Sequence, residues 1–256
     1  MLHFAVESLF HFLLHLSKKM GTDNSQPPPG KPLGSSPDGV TFPLHQNTRY
    51  DRFVTTTPYG NLLADTGSAG TIIRDALLYE ECVKRGNPQG SRVYGIKNST
   101  NTVEYCIDKR ATQHGFEGVA YTNHIPSSIL RDDAIVGIMG LAPGNPSCKN
   151  KNDASLTAIV TDSNCVLIDP LRQKLHIVNN GSCEPLAHQY PFSKDVNGSC
   201  TNHVVVRKGG QSLVVDTGFP GDEAGMGDGT VLWGFKNMQN KQSMFDFDKQ
   251  MFSQDR

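Results

Sequence analysis

Two stretches of the chain repeat one pattern, an apolar run that stops abruptly in Asp-Thr-Gly. In "LLADTGSAG", Leu62, Leu63 and Ala64 lead into Asp65, Thr66, Gly67 and Ser68. In "SLVVDTGFP", Leu213, Val214 and Val215 lead into Asp216, Thr217 and Gly218. An apolar run bounded by turn residues reads as a buried strand, and Asp-Thr-Gly is good turn chemistry in its own right. A single copy needs no further explanation. Two copies, each behind a strand, ask for a fold with two equivalent strand-to-loop corners. Two readings stay open at this point: separate turn aspartates, or loops packed face to face with their carboxyl groups in contact.

The remaining sequence suits a mainly β protein. Only 37% of the 256 residues are hydrophobic, while 25 Gly and 15 Pro supply turns, a mixture that favours short strands over a helical bundle. The centre of "TIIRDALLYEECVKRGN", Asp75 to Arg85, is the best helix candidate, ending near Gly86. "SRVYGIKNSTNTVEYCIDKR" reads as a hairpin around an Asn/Ser/Thr turn, and "NHVVVRKGGQSLVVDTG" as another across "KGG". "DDAIVGIMGLAPG" is an apolar run broken by glycines. "SNCVLIDPLRQKLHIVNNG" reads as strand, Pro-containing turn and strand, and "TVLWGFKNMQNKQSMFDFDKQMF" as two further strands. The acids of "FDFDK", Asp246 and Asp248, imitate a calcium site, but a strand with a solvated face explains them more simply.

The expected organisation has four parts. Residues 1–19 are apolar but carry Glu7, with Lys18 and Lys19 after the run instead of before it. They read as a signal segment or an amphipathic helix, and any membrane contact is expected there alone. Residues 20–39 are a Pro/Gly/Ser-rich linker, with order starting near Val40. Residues 40–150 make an N-terminal β lobe with the first Asp-Thr-Gly loop, and residues 151–256 a shorter one with the second.

Charge excludes some functions. With 24 basic against 25 acidic residues, no field steers the chain to nucleic acid or an anionic surface. The six cysteines lack any C-x-x-C spacing, and the nine histidines form no ligand-like cluster, so neither a metal nor another cofactor is expected. No G-x-S-x-G elbow points to a serine hydrolase. An even cysteine count beside three sequons, at Asn98, Asn180 and Asn197, favours disulfides, glycosylation and a secreted or lumenal compartment. Pairing among six cysteines stays open, with fifteen connectivities.

Two aspartates brought within a few ångströms cannot both ionise easily, so one pKa falls and the other rises. The ionised member then draws a proton from water while the protonated one polarises a peptide carbonyl. Glycine lets the backbone pass close to such a pair, and the threonines have hydroxyls to bond across to the opposite loop.

With these residues in view, the chain resembles the pepsin-like aspartic proteases over roughly residues 40–256. "VYGIKNST", with Tyr94 and Gly95, is similar to the family's flap hairpin; a cross-strand packing aromatic is the plain alternative for Tyr94. "AIVGIMGLAPG", with Gly140, and "VLWG", with Trp233 and Gly234, resemble its two hydrophobic-hydrophobic-Gly segments. The resemblance implies a bilobal pepsin-like fold with a truncated C-terminal lobe, and a monomer acting on peptide or protein substrates. It implies Asp65 and Asp216 as the catalytic dyad, Ser68 as the hydroxyl supporting the first, and Thr66 and Thr217 as cross-loop braces beside Gly67 and Gly218. The chain departs from the family in three places. Phe219 replaces the hydroxyl residue of the second motif, "AGTIIRD" lacks the usual tryptophan, and only "FPGDEAGMGDGT" separates Gly218 from "VLWG". That shortening leaves a second reading open, a related scaffold that binds without cutting.

Overall fold

The computed structural model describes residues 33–36, 39–96, 99–109, 118–143, 160, 164–178, 183–196, 199–221, 223–225 and 229–255. The chain enters through β1 (Leu33–Ser36) and β2 (Gly39–Asn47), then forms a tight hairpin of β3 (Arg52–Thr57) and β4 (Gly60–Ala69). Next come β5 (Thr71–Arg74), helix α1 (Ala76–Lys84), β6 (Gln89–Ile96), β7 (Ser99–Asp108), β8 (Val119–Thr122) and β9 (Ile135–Ala142). β10 (Cys165–Asp169), β11 (Lys174–Val178) and β12 (His188–Val196) lead to a second hairpin, β13 (Ser199–Lys208) and β14 (Gln211–Val215). β15 (Glu223–Gly225), β16 (Thr230–Trp233), β17 (Ser243–Asp246) and β18 (Met251–Gln254) close the chain. The protein is mainly β, as its turn-rich composition implies.

The two Asp-Thr-Gly stretches sit in matching surroundings. β4 runs antiparallel to β3 and parallel to β9, with Leu63 beside Ile138 and Asp65 beside Gly140. β14 likewise runs antiparallel to β13 and parallel to β16, with Val215 beside Trp233. Both faces of each strand are buried in apolar clusters, Leu62, Ala64, Leu213 and Val215 in one and Leu63 and Val214 in two others, which is why these strands are continuously apolar rather than alternating. The strand between each parallel pair corresponds too: β5 is antiparallel to β9, and β15 to β16. In the first copy α1, the β6–β7 hairpin and β8 intervene; in the second, β16 follows almost at once.

An antiparallel path joins the copies. β3 pairs with β2, β2 with β11, β11 with β10, β10 with β17, β17 with β18, β18 with β12, and β12 with β13. One buried cluster runs through it and includes Phe42, Leu62, Met139, Val215, Trp233, Phe235 and Phe252. The Phe53 and Phe235 rings, from opposite copies, meet with centroids 4.7 Å apart, within the range in which aromatic pairs attract beyond their buried area.

Local signals explain the element ends. Asp75 caps α1 by accepting the Leu78 N–H at 3.0 Å, and Gly86 takes the left-handed conformation just beyond it, with φ +70°, the usual glycine stop. Cys82 on the buried side of α1 is bonded to Cys106 on β7, and Cys165 to Cys183. Gly209 and Gly210, with φ of +59° and +83°, make the two-residue turn of the second hairpin, as the primed turns of hairpins require. Among the described residues no helix is long and apolar enough to cross a membrane.

Three expectations need correction. Order begins before Val40, because β1 in the Pro/Gly/Ser-rich stretch already pairs with β2, Leu33 opposite Thr41. The closing stretch holds three strands, and a 3-10 turn at Phe235–Asn237 separates the first two. Asp246 does not lie on a solvated face: it is 3% exposed, accepts the Lys249 N–H at 3.0 Å and pairs with the Lys249 ammonium at 3.1 Å. The β17–β18 turn needed an acceptor, and Asp246 provides it.

Candidate active site

The Asp65 and Asp216 loops meet tip to tip. The Thr66 N–H donates to Thr217 Oγ1 at 2.9 Å, and the Thr217 N–H to Thr66 Oγ1 at 3.0 Å. Each hydroxyl then donates onward into the opposite copy, Thr217 to the Ala64 carbonyl at 2.7 Å and Thr66 to the Val215 carbonyl at 3.4 Å. Both threonines are fully buried, so the two loops are locked together by a closed set of bonds in a setting where an unmade one is costly.

This lock brings the aspartates together. Gly67 N–H donates to Asp65 Oδ1 and Gly218 N–H to Asp216 Oδ1, each at 2.8 Å. A Cβ on Gly218 would stand 2.6 Å from Asp65 Oδ1, and one on Gly67 2.8 Å from Asp216 Oδ1. Only glycine lets each loop approach the other's carboxyl this closely. That same point beside Gly218 lies 3.0 Å from Asp216 Oδ1, so the two carboxyl groups face one another across the paired glycines. Asp65 is buried, whereas Asp216 is partly exposed.

The supporting groups differ between the two. Ser68 Oγ donates to Asp65 Oδ2 at 2.5 Å. Phe219, three residues after Asp216, offers no hydroxyl; it packs against Val205, Val214 and Leu232. His203 stands in that place instead, its Nε2 3.7 Å from Asp216 Oδ2. His203 is half-buried and belongs to no ligand-like cluster among the described residues, and it was not singled out from the sequence. The signal that would have found it lies in the hairpin: with the turn at Gly209 and Gly210, Val204 pairs with Val215, and one further step sets His203 opposite Asp216.

Arg52 was also missed. It is 2% exposed, and its guanidinium donates to the Gly218 carbonyl and, at 3.5 Å, to the Ile129 carbonyl. Its Nε has no partner among the described residues. Burial and the charge of Arg131 pull its pKa down to about 10, while Asp65, Asp216 and Asp51 pull the other way.

No protein-family model and no curated protein matches the chain. Solved structures do share features of its fold. The crystal structure of EDGP is 8% identical with a TM-score of 0.47, over 86% of this chain and 95% of that one. That of an aspartic proteinase from Irpex lacteus is 10% identical with a TM-score of 0.48, over 84% of this chain and 96% of that one.

The electrostatics of the pair are lopsided. Burial and the charge of Asp216 push Asp65 up to about 7, against the hydrogen bonds from Ser68 and Gly67. Burial also works to raise Asp216, but the hydrogen bond and charge of His203, with the bonds from Asp65 and Gly218, outweigh it and hold Asp216 below the usual carboxylate range. Two facing acids are thus driven apart in proton affinity, Asp65 upward and Asp216 downward. Among the described residues no group of three or more His, Cys, Asp or Glu side chains is placed to hold a metal ion.

Tyr94 and Gly95 lie on β6, opposite Asn101 and Thr100 of β7. The backbone is a hairpin, and their side chains fall outside the described residues. Asn98, Asn180 and Asn197 also lie outside them.

Proposed function

We propose that the protein is an aspartic endopeptidase that hydrolyses peptide bonds with water activated by Asp65 and Asp216. The observation that carries this reading is the seating of each carboxyl group against the glycine of the other motif, which sets Asp65 and Asp216 face to face between the locked loops. Ionised Asp216 takes a proton from a water molecule as its oxygen attacks the peptide carbon. Protonated Asp65 donates to the carbonyl oxygen; the tetrahedral intermediate then collapses as Asp216 passes its newly gained proton to the leaving nitrogen and Asp65 takes one back from the intermediate's hydroxyl. Two carboxyl groups and one water suffice for these steps.

The same reading divides the chain into lobes at residues 40–150 and 151–256 and gives the β6–β7 hairpin, with Tyr94 and Gly95, the part of a flap over an extended peptide. The disulfides fit a secreted or lumenal protein, with Asn98, Asn180 and Asn197 as glycan acceptors.

Incubation with internally quenched peptides and an unfolded protein from pH 3 to 8, with products read by mass spectrometry, tests the reading. Cleavage that disappears in Asp65→Asn and Asp216→Asn supports it; full activity in either variant overturns it. The short link between Gly218 and β16 favours one alternative, a pepsin-like scaffold that binds peptides without cutting. A folded sample that cleaves nothing yet still captures unfolded polypeptide would favour that alternative.

A further inference from the structure

The internal repeat is longer than its Asp-Thr-Gly triplets. Residues 52–67, "RFVTTTPYGNLLADTG", and 203–218, "HVVVRKGGQSLVVDTG", align without a gap. Each is a strand, a two-residue turn and a returning strand that ends in the aspartate. Thr57 pairs with Gly60 in the first hairpin and Lys208 with Gln211 in the second. The first residue of each stretch therefore takes the place across from its aspartate, and in both that residue is basic: Arg52 faces Asp65 as His203 faces Asp216.

The contacts cross between the copies in the same way. Arg52 donates to the carbonyl of Gly218, in the opposite loop. His203 Nε2 lies 2.8 Å from the point where a Cβ on Gly67, again in the opposite loop, would stand. Each basic side chain thus reaches past its own aspartate to the glycine of the other motif. Arg52 is buried with its fork on carbonyl oxygens, and a buried cation needs a counter-charge. The nearest acids are the dyad itself and Asp51.

We propose that Arg52 and His203 are paired positioning residues: Arg52 is a fixed counter-charge that keeps one negative charge at the dyad, and protonated His203 keeps that charge on Asp216 and the proton on Asp65. The inference rests on reading Asp65 and Asp216 as a working pair. Asp216 faces His203 from the adjacent strand, Asp65 from the first loop, and Arg52 from beyond the dyad, so all three enter its titration. A neutral His203 removes a positive charge from beside Asp216, and the distinction between the two acids weakens.

Histidine NMR titration separates this inference from the hydrolytic reading, because it needs no turnover. The imidazole signal lost in His203→Gln is followed with pH in the full chain and in Asp216→Asn. Its midpoint is expected to fall by about one pH unit or more in Asp216→Asn, where the facing carboxylate is gone. A midpoint that is the same in both proteins overturns the proposal, whether or not peptides are cleaved. A shifted midpoint in a protein that cuts nothing upholds the coupling while the hydrolytic reading falls. With turnover, kcat/KM of His203→Gln is expected to drop about tenfold further at pH 3.5 than at pH 6, as Asp216 binds its proton at higher pH. Arg52→Gln should move the alkaline limb upward and Arg52→Lys should not; an alkaline limb that stays put in a folded Arg52→Gln overturns the role given to Arg52. Should Arg52→Gln not fold, the His203 titration still decides.

Discussion

Thr66 and Thr217 exchange backbone-to-hydroxyl hydrogen bonds at 2.9 and 3.0 Å, so neither loop is satisfied without the other. Replacing either threonine by valine keeps the shape, removes a hydroxyl that accepts one bond and donates another, and strands a buried N–H. We expect Thr66→Val or Thr217→Val to cost about 2–4 kcal/mol in urea unfolding. Thr→Ser at the same sites keeps the hydroxyl and should cost less than half as much. Equal losses for Val and Ser would show that methyl packing, rather than the bond exchange, holds the loops.

The dyad reading makes chemistry and stability respond in opposite ways at Asp65 but not at Asp216. Asp65→Asn and Asp216→Asn each remove an ionisable group from a buried contact, so peptide cleavage should fall by at least about 10²–10⁴-fold. Near neutral pH the midpoint of thermal unfolding should hold or rise in Asp65→Asn, whose charge the fold disfavours, and fall modestly in Asp216→Asn, whose charge the fold favours. A loss of thermal stability in Asp65→Asn as well would instead place that aspartate in a structural role.

Proton linkage gives a signed prediction. The folded-state pKa of Asp65 is raised to about 7, so its contribution to stability is full below the unfolded value of about 4 and is lost as pH rises towards 7. Asp216 is lowered; its contribution is present above its unfolded value and is lost as pH falls. Thermal midpoints measured between pH 4 and 8 should therefore decline towards neutrality in the parent protein, and Asp65→Asn should flatten that decline. Cleavage should lose its alkaline limb near pH 7, where Asp65 releases its proton.

Much of the site could be read from residues that act locally. The Asp-Thr-Gly corners, the Asp75 cap, the glycine stop at Gly86 and the Gly209–Gly210 turn each carry their own conformational signal. Ser68 was singled out through the family resemblance, and its place three residues after Asp65 in the same loop puts it within reach of that carboxylate. His203 and Arg52 could not be read in this way, since nothing in their immediate neighbours marks them. Their importance comes from strand register, which the turn lengths fix only once both hairpins are aligned. Asp246 misled for a related reason: alternation suggested a wet strand face, but the following turn consumed the carboxylate. β1 was hidden by composition, because Pro, Gly and Ser describe a linker unless a partner strand is known.

Gly140 tests whether the parallel strand threaded beside the first loop is as tight as its geometry implies. A Cβ at that position would lie 2.7 Å from the Ser68 carbonyl oxygen and from the Ala69 carbonyl carbon, both backbone atoms of the loop that carries Asp65. Backbone cannot swing aside as a side chain does, so β9 would have to move off β4, and the Asp65 loop with it. Gly140→Ala should cost about 3 kcal/mol or more and lower cleavage beyond what the unfolded fraction explains. Gly225, on β15, has nothing within 4 Å of the equivalent point, so Gly225→Ala serves as the matched control and should change stability by less than about 1 kcal/mol. Urea unfolding of both variants, with cleavage measured per folded molecule, decides the matter: similar small effects would mean that β9 does not support the dyad through this contact.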